Sequence, residues 1–138
     1  MKFISAAFLA IAMLGASALA QDTQSVSEAQ AAASQWLALV DAGNYSQSWE
    51  QAAGLFKASV GKPAWASMAA KVRAPLGVLK SRQIQSSTFT HTLPGAPDGD
   101  YVVIKYASRF ENRDGAVETI TPLRDKDGTW RVSGYFVK

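Results

Sequence analysis

The chain has 138 residues, of which 48% are hydrophobic, and a formal net charge of +3. That length suits one domain, and charges that alternate in sign along the chain give little support for nucleic-acid binding. Because the chain has no cysteine, disulfides, thiol chemistry, iron–sulfur clusters and lipid attachment through cysteine are excluded.

Residues 1–20 have the pattern of a secretory signal peptide. Lys2 provides a positive start, an apolar run extends from Phe3 to Leu14, and Ala18-Leu19-Ala20 is a small-x-small cleavage site. The run is too short to span a bilayer as a permanent helix. We therefore predict cleavage near Ala20 and a single exported α+β domain over residues 21–138, periplasmic or secreted, with no stable membrane insertion.

Three helices are predicted in the first half of this domain. Ser25 and Glu28 form a capping-box pattern before apolar residues at helical spacing, which predicts a helix over residues 26–42. A second, short helix is expected with Ser46 as its N-cap. The third has Pro63 in its first turn, and its expected apolar face consists of Trp65, Met68, Ala69 and Val72.

From Val78 onward the hydrophobic period changes to two, which predicts strands. Four strands are expected, over residues 78–89, 101–111, 116–124 and 129–137, with Trp130, Val132 and Phe136 facing inward on the last one. Short turns, including one at residues 112–115, make neighbouring strands antiparallel. The predicted fold class is α+β, with three helices packed on a curved four-stranded antiparallel sheet.

Short motifs in a fixed order run from the first predicted helix to the C-terminus. They are Trp36-Leu37, Asp41-x-Gly43-x-Tyr45-x-x-Ser48-Trp49, Phe56, Trp65, Gly77, Arg82, Leu93-Pro94-Gly95-x-Pro97-Asp98-Gly99-x-Tyr101, Glu118 and Gly128-x-Trp130-Arg131-Val132-x-Gly134-Tyr135. Together they resemble a family of small exported bacterial proteins, the domain of unknown function 4019 family. The layout is also similar to the nuclear transport factor 2-like (ketosteroid isomerase-like) cone. The resemblance implies an exported cone-like domain and assigns no activity.

Arg82 and Glu118 are the sharpest polar candidates for a site. Arg82 shares the parity of Ile84, and Glu118 shares that of Ile120, so both side chains are expected to face inward. An inward charge is costly unless it is paired. We therefore predict that the two groups meet, either as a structural ion pair or as the polar floor of a pocket.

Aromatic side chains on the predicted helix and strand faces could line such a pocket. The ligand-binding candidates are therefore Arg82, Glu118, Tyr106, Trp49 and Trp130. The alternative is that these rings simply fill the core, as large rings do in small domains.

No catalytic residue, metal site or cofactor is assigned from the sequence. His91 is the only histidine and has no nucleophile signature around it. Ser59-Val60-Gly61-Lys62 has the S-x-x-K spacing of penicillin-binding enzymes but lacks the companion motifs. Asp125-Lys126-Asp127-Gly128 begins like a calcium loop but lacks the later bidentate acid, and a hairpin turn explains it.

Three functions follow as hypotheses. The favoured one is a non-catalytic exported envelope module that binds a small molecule or an envelope protein. The second is a cone-fold isomerase or dehydratase, with Glu118 as base and Tyr106 as donor, which requires that both face one cavity. The third is a structural homodimer that uses the outward residues Tyr101, Val103 and Tyr135 as its contact patch.

Overall fold

A computed structural model describes the backbone of residues 14–138 and the side chains of residues 18–138. The helices in this range are α1 (Leu14–Asp41), α2 (Tyr45–Glu50), α3 (Gly54–Ser59) and α4 (Lys62–Arg73), and a 3-10 turn spans Ala74–Leu76. The strands are β1 (Leu79–Thr90), β2 (Tyr101–Phe110), β3 (Arg113–Arg124) and β4 (Trp130–Val137). Helices followed by antiparallel strands confirm the predicted α+β class.

α1 begins well before its predicted start. Residues 16–42 contain no Gly or Pro and are rich in Ala, a composition that favours an uninterrupted helix. Ser25 consequently lies inside the helix, and the predicted capping box is wrong. Glu28 instead accepts hydrogen bonds from the side chains of Gln24 and Trp130.

The predicted signal peptide is only partly within the structure. Residues 1–13 lie outside the described residues, and residues 14–20 form the first turns of α1. The side chains of residues 18–20, at the predicted cleavage site, are exposed. In the part of the chain that the structure describes, no helix is long and apolar enough to cross a membrane. Cleavage and export therefore stay predictions.

The predicted second helix is divided into α2 and α3, which are separated by residues 51–53. The backbone N–H of Ala53 donates to the Val132 carbonyl at 2.8 Å, so it binds β4 instead of continuing the helix. α2 is preceded by Asn44 as its N-cap residue and not by Ser46. The long-range hydrogen bond explains the break and ties α3 to the edge strand of the sheet.

α4 begins with a proline in its first turn, as predicted, but its buried face is different. Trp65, Ala69 and Arg73 are buried at intervals of four residues. Met68 and Val72, which were expected inside, are 55% and 47% exposed. The last buried position of α4 is therefore occupied by the cationic side chain of Arg73.

The strands form one antiparallel sheet in the order β1-β2-β3-β4. Phe110 pairs with Arg113, so only Glu111 and Asn112 form the turn between β2 and β3, which is shorter than the predicted turn at residues 112–115. The backbone N–H groups of both turn residues donate to carbonyls of the segment before β1. These bonds hold the hairpin against the end of the helical half.

A β-bulge reverses the faces of the last residues in β4. Thr121 pairs with Gly134 whereas Pro122 pairs with Val132, which leaves Ser133 as an extra residue. A proline has no N–H to donate to the ladder and is tolerated at such an irregularity. Beyond the bulge the alternation is inverted, so the predicted inward position of Phe136 is wrong, and this ring is 52% exposed.

The predicted outward patch is wrong for two of its members. The bulge turns Tyr135 toward the helices, where it packs against the main core. Tyr101 is only 1% exposed, and its hydroxyl donates to the Pro97 carbonyl at 2.6 Å in the loop before β2. Val103 is the member that keeps its outward position, and it is half-buried. These residues do not form one exposed apolar surface.

The core lies between the sheet and α1, which contacts all four strands. At its centre is an aromatic cluster formed by Trp36, Phe56, Trp65 and Tyr135. The Trp36 ring centre lies 6.2, 5.7 and 5.4 Å from those of Phe56, Trp65 and Tyr135, respectively. These rings fill the space under the charged side chains that form the candidate site.

Candidate functional site

Glu118 is the centre of the candidate site. It lies on the inward face of β3, and its side chain is 0% exposed. Oε1 accepts hydrogen bonds from Arg82 Nε at 2.7 Å and from Ser108 Oγ at 2.5 Å. Oε2 accepts from Arg82 Nη2 at 3.0 Å and from Tyr135 Oη at 2.5 Å. Each oxygen therefore accepts two hydrogen bonds, which uses the whole acceptor capacity of a carboxylate.

Arg82 joins this carboxylate to a second one. Its Nη1 and Nη2 donate to Asp41, at 2.7 Å to Oδ2 and 2.9 Å to Oδ1. The Arg82 side chain is 14% exposed, and the planar guanidinium presents one edge to Glu118 and another to Asp41. The predicted contact between Arg82 and Glu118 is confirmed, and Asp41 is a partner that the sequence analysis missed.

Arg73 is the second cation of the network. Its Nη2 donates to Asp41 Oδ1 at 2.8 Å, and its guanidinium carbon lies 4.9 Å from the centre of the Phe110 ring. The side chain is 6% exposed, and in the described part of the chain Nε and Nη1 have no hydrogen-bond partner. Two carboxylates and two guanidinium groups thus balance in formal charge. We call Asp41, Arg73, Arg82, Ser108, Glu118 and Tyr135 the buried charge network.

Two groups of the network, Asp41 and Tyr135, have shifted pKa values that keep each in one protonation state at neutral pH. Burial alone would raise the pKa of Asp41, but hydrogen bonds and positive charge from Arg82 and Arg73 outweigh it and lower that pKa. Burial, together with the negative charge of Glu118 and the hydrogen bond to it, raises the pKa of the Tyr135 hydroxyl far above its ordinary value. Tyr135 therefore stays protonated and remains a donor.

The buried charge network and the aromatic cluster share the side chain of Tyr135. Its hydroxyl binds Glu118, and its ring packs against Trp36. A buried serine completes the cluster: the Ser48 carbonyl accepts from Trp36 Nε1 at 2.8 Å, and Ser48 Oγ accepts from Trp65 Nε1 at 2.9 Å. The polar atoms of these rings therefore have hydrogen-bond partners within the core beneath Glu118.

The structure brings together three of the five predicted binding residues. Tyr106 faces Glu118 across the β2–β3 pairing, and the Arg82 guanidinium carbon lies 5.9 Å from the Tyr106 ring centre. The two tryptophans have other partners. The indole N–H of Trp49 donates to the Val60 carbonyl at 2.7 Å, and that of Trp130 donates to Glu28 at 3.1 Å. Trp130 also lines a separate cleft of about 320 Å³.

Two of the missed network residues continue buried stripes in the sequence. Asp41 comes four residues after the buried Leu37, and Arg73 comes four residues after Ala69. Each is the last residue of its helix, which brings the ends of α1 and α4 to one place. A charged residue at the end of an apolar helical stripe is therefore the sequence signal that could have identified Asp41 and Arg73 as members of the network. No comparable signal reveals Tyr135, because its orientation depends on the bulge in β4.

A second feature is an open groove of about 710 Å³ beside α3. We call it the α3 groove. Its apolar lining comes from α3, the loop before β2, the start of β2 and the end of β3, and consists of Leu55, Ala58, Pro97, Tyr101 and Leu123. Charged residues at its border are Asp98, Asp125, Lys126, Asp127 and Arg131. The groove therefore combines an apolar floor with a charged border.

Arg131 organises part of this border. Its Nη1 donates to Asp125 at 3.0 Å and to Asp127 at 2.9 Å, and its Nη2 donates to Asp127 at 2.9 Å. The hydrogen bond from Arg131, assisted by the backbone N–H of Thr129, holds the pKa of Asp127 well below its ordinary value. Both carboxylates of this predicted turn therefore bind a guanidinium. Among residues that the structure describes, no cluster of acidic and histidine side chains is arranged to hold a metal ion.

Comparison with known families gives a match over most of the chain. Residues 32–135 match the model of a family described as "Protein of unknown function (DUF4019)". The matched span covers more than half of the chain, from within α1 to near the end of β4, and it contains the buried charge network and the α3 groove. No curated protein matches the sequence.

Proposed function

The chain belongs to the DUF4019 family, whose description assigns no activity, and on the evidence of its site we propose that it is an exported, non-catalytic binding module. Its partner is a protein of the cell envelope, and the α3 groove receives that partner. The buried charge network is the structural centre that holds the helices on the sheet.

The bonding of Glu118 is the observation that carries the non-catalytic role. A general base needs a free lone pair within hydrogen-bond reach of the substrate proton. Each Glu118 oxygen already accepts two hydrogen bonds, and the carboxylate is fully buried. The alternative with Glu118 as base and Tyr106 as donor requires an open cavity between them, whereas Arg82 and Tyr135 occupy the space around the carboxylate.

The internal hydrogen bonding of the core favours a protein partner over a small molecule held inside the domain. Small-molecule sites are concave pockets with a few polar groups that point at the ligand. Here the polar groups of Trp36, Trp65 and Tyr135 bind other residues of the chain. The α3 groove, in contrast, opens to the surface and offers an apolar floor. Helices laid over one face of the sheet also support a cone of the nuclear transport factor 2-like type.

Export is the part of the proposal that rests on sequence. The positive start, the apolar run and the small residues at 18 and 20 support a cleaved signal peptide, and Gln21, an exposed residue of α1, would become the new N-terminus. The mature protein would then act in the periplasm or outside the cell.

Photo-crosslinking in living cells tests the proposed role. A photoreactive benzoylphenylalanine replaces Leu55 in the α3 groove, and in a matched control it replaces Phe136, which is 52% exposed on the outer face of the sheet. We expect a discrete protein adduct with the Leu55 probe only, recovered from the exported fraction. N-terminal sequencing of that adduct should show a chain that begins at Gln21.

Two results would contradict the proposal. Equal adducts from both positions, or none from Leu55, would mean that the α3 groove does not contact a partner. Recovery of the chain in the cytoplasm with residues 1–20 intact would overturn export. The crosslinking result at Leu55 would still test whether the α3 groove contacts a partner.

A further inference from the structure

We infer that the α3 groove binds an extended segment of a partner protein in which an apolar side chain is flanked by lysine or arginine. This inference rests on the proposed function and specifies the chemistry of its partner.

The walls of the α3 groove are fixed before any partner arrives. The α3 wall is held by the hydrogen bond from the Ala53 N–H to the Val132 carbonyl. The loop wall is held by the Tyr101 hydroxyl, which donates to the Pro97 carbonyl at 2.6 Å. The hairpin wall is closed by backbone hydrogen bonds within the turn at residues 125–129. A preformed groove binds without the entropic cost of ordering its own walls.

The border of the groove differs in charge from the rest of the chain. It carries three carboxylates against two cations, on a chain whose formal net charge is +3. Asp125 and Asp127 share the guanidinium of Arg131, and Lys126 balances the second carboxylate, so the one excess negative charge of the border belongs to Asp98. A negatively charged border on a basic protein selects a partner segment with positive charge.

Asp98 is the carboxylate best placed to receive that charge. It is exposed, it lines the groove, and it has no ion-pair partner among residues 18–138. After burial itself, the negative charge of Asp98 is the second cause that raises the pKa of Tyr101 in the floor. The electrostatic field of Asp98 therefore reaches the apolar floor of the groove. A lysine or arginine next to a bound apolar side chain would lie close to this carboxylate.

Titration with short peptides tests the inference. The protein, purified from cells that express the full chain, is observed by NMR while acetyl-Gly-Lys-Leu-Lys-Gly-amide is added. Two peptides serve as controls. Acetyl-Gly-Glu-Leu-Glu-Gly-amide replaces the positive charges with negative ones, and acetyl-Gly-Lys-Gly-Lys-Gly-amide replaces the apolar leucine with glycine. We expect the Lys-Leu-Lys peptide to shift the amide signals of Leu55, Tyr101 and Leu123, and to bind at least about tenfold more tightly than either control peptide.

A matched pair of variants locates the charge effect. Asp98→Asn is expected to weaken binding of the Lys-Leu-Lys peptide several-fold, because it removes the receiving carboxylate. Asp114→Asn makes the same change at a side chain that is 87% exposed and does not line the groove, and it should leave the affinity unchanged. Equal binding of the Lys-Leu-Lys and Glu-Leu-Glu peptides, or an unchanged affinity in Asp98→Asn, would overturn the inference.

Failure here is distinguishable from failure of the proposed function. If the Leu55 probe crosslinks a protein but the peptides show no preference for positive charge, the groove is a partner site of another chemistry. If the peptides bind as expected but the Leu55 probe gives no adduct in cells, the groove has the inferred selectivity and the proposed cellular role is wrong.

Discussion

Replacing Arg82 with methionine is expected to lower the free energy of unfolding by about 3–5 kcal/mol, the usual cost of removing one partner of a buried ion pair. Arg82 is the only cation bonded to Glu118 among the described residues, and it makes two of the four hydrogen bonds to that fully buried carboxylate. Without it, the charge of Glu118 has no counter-ion. Urea unfolding followed by tryptophan fluorescence measures the loss.

Arg109→Met is the matched control for this substitution. Arg109 lies on β2, its side chain is 65% exposed, and its nearest carboxylate is Asp114 at 3.5 Å. Exposed pairs of this kind contribute about 0–1 kcal/mol, so the control should unfold close to the wild type. An Arg82→Met variant that also unfolds within about 1 kcal/mol of the wild type would show that the network does not stabilise the fold.

A second substitution separates charge from packing in this experiment. Arg82→Met combined with Glu118→Gln removes the uncompensated negative charge, while the amide can still accept hydrogen bonds from Ser108 and Tyr135. We expect the double variant to regain on the order of 1–2 kcal/mol over Arg82→Met alone. Asp41 keeps its contact with Arg73 in both variants.

Trp36→Ala is expected to have an effect of similar size through a different cause. Trp36 is 3% exposed and is in contact with the rings of Phe56, Trp65 and Tyr135 at the centre of the core. Removing a buried tryptophan leaves a large cavity and typically costs about 3–5 kcal/mol. Here it also removes the hydrogen bond to the Ser48 carbonyl and the support that positions Tyr135 against Glu118. Thermal and urea unfolding followed by circular dichroism measure the change.

Phe136→Ala provides the corresponding aromatic control. The Phe136 ring is 52% exposed and lies outside the aromatic cluster, so its loss should cost no more than about 1 kcal/mol, the span of strand preferences. A smaller loss of stability in Trp36→Ala than in Phe136→Ala would contradict the location of the core between α1 and the sheet.

Local pattern was enough to predict the sheet and the central ion pair. β2 alternates strictly from Val102 onward, so the inward positions of Tyr106 and Ser108 follow from the period of two. The same period within β1 and β3 places Arg82 and Glu118 on the inner face. A buried charge needs a partner, which made their contact a physical expectation before the structure. These inferences needed only the residues of each strand.

The parts that could not be predicted depend on contacts between distant segments. The break between α2 and α3 follows from the hydrogen bond between Ala53 and Val132, which no local pattern reveals. The inward turn of Tyr135 follows from the bulge opposite Pro122. Asp41 joins the site because the end of α1 meets β1 in the folded chain. The sequence therefore predicted the Arg82–Glu118 pair at the centre of the site but not its outer members.

Chemical labelling of carboxylates tests most directly whether Glu118 is an enclosed structural group. The folded protein is treated with a water-soluble carbodiimide and glycine ethyl ester, then digested with trypsin. Residues 114–124 form one tryptic peptide whose only acidic side chains are Asp114 and Glu118, so tandem mass spectrometry compares the two within one molecule. Asp114 is 87% exposed, whereas Glu118 is 0% exposed. Our account predicts labelling of Asp114 alone in the folded protein and of both residues in urea. Labelling of Glu118 in the folded protein at a rate near that of Asp114 would contradict it.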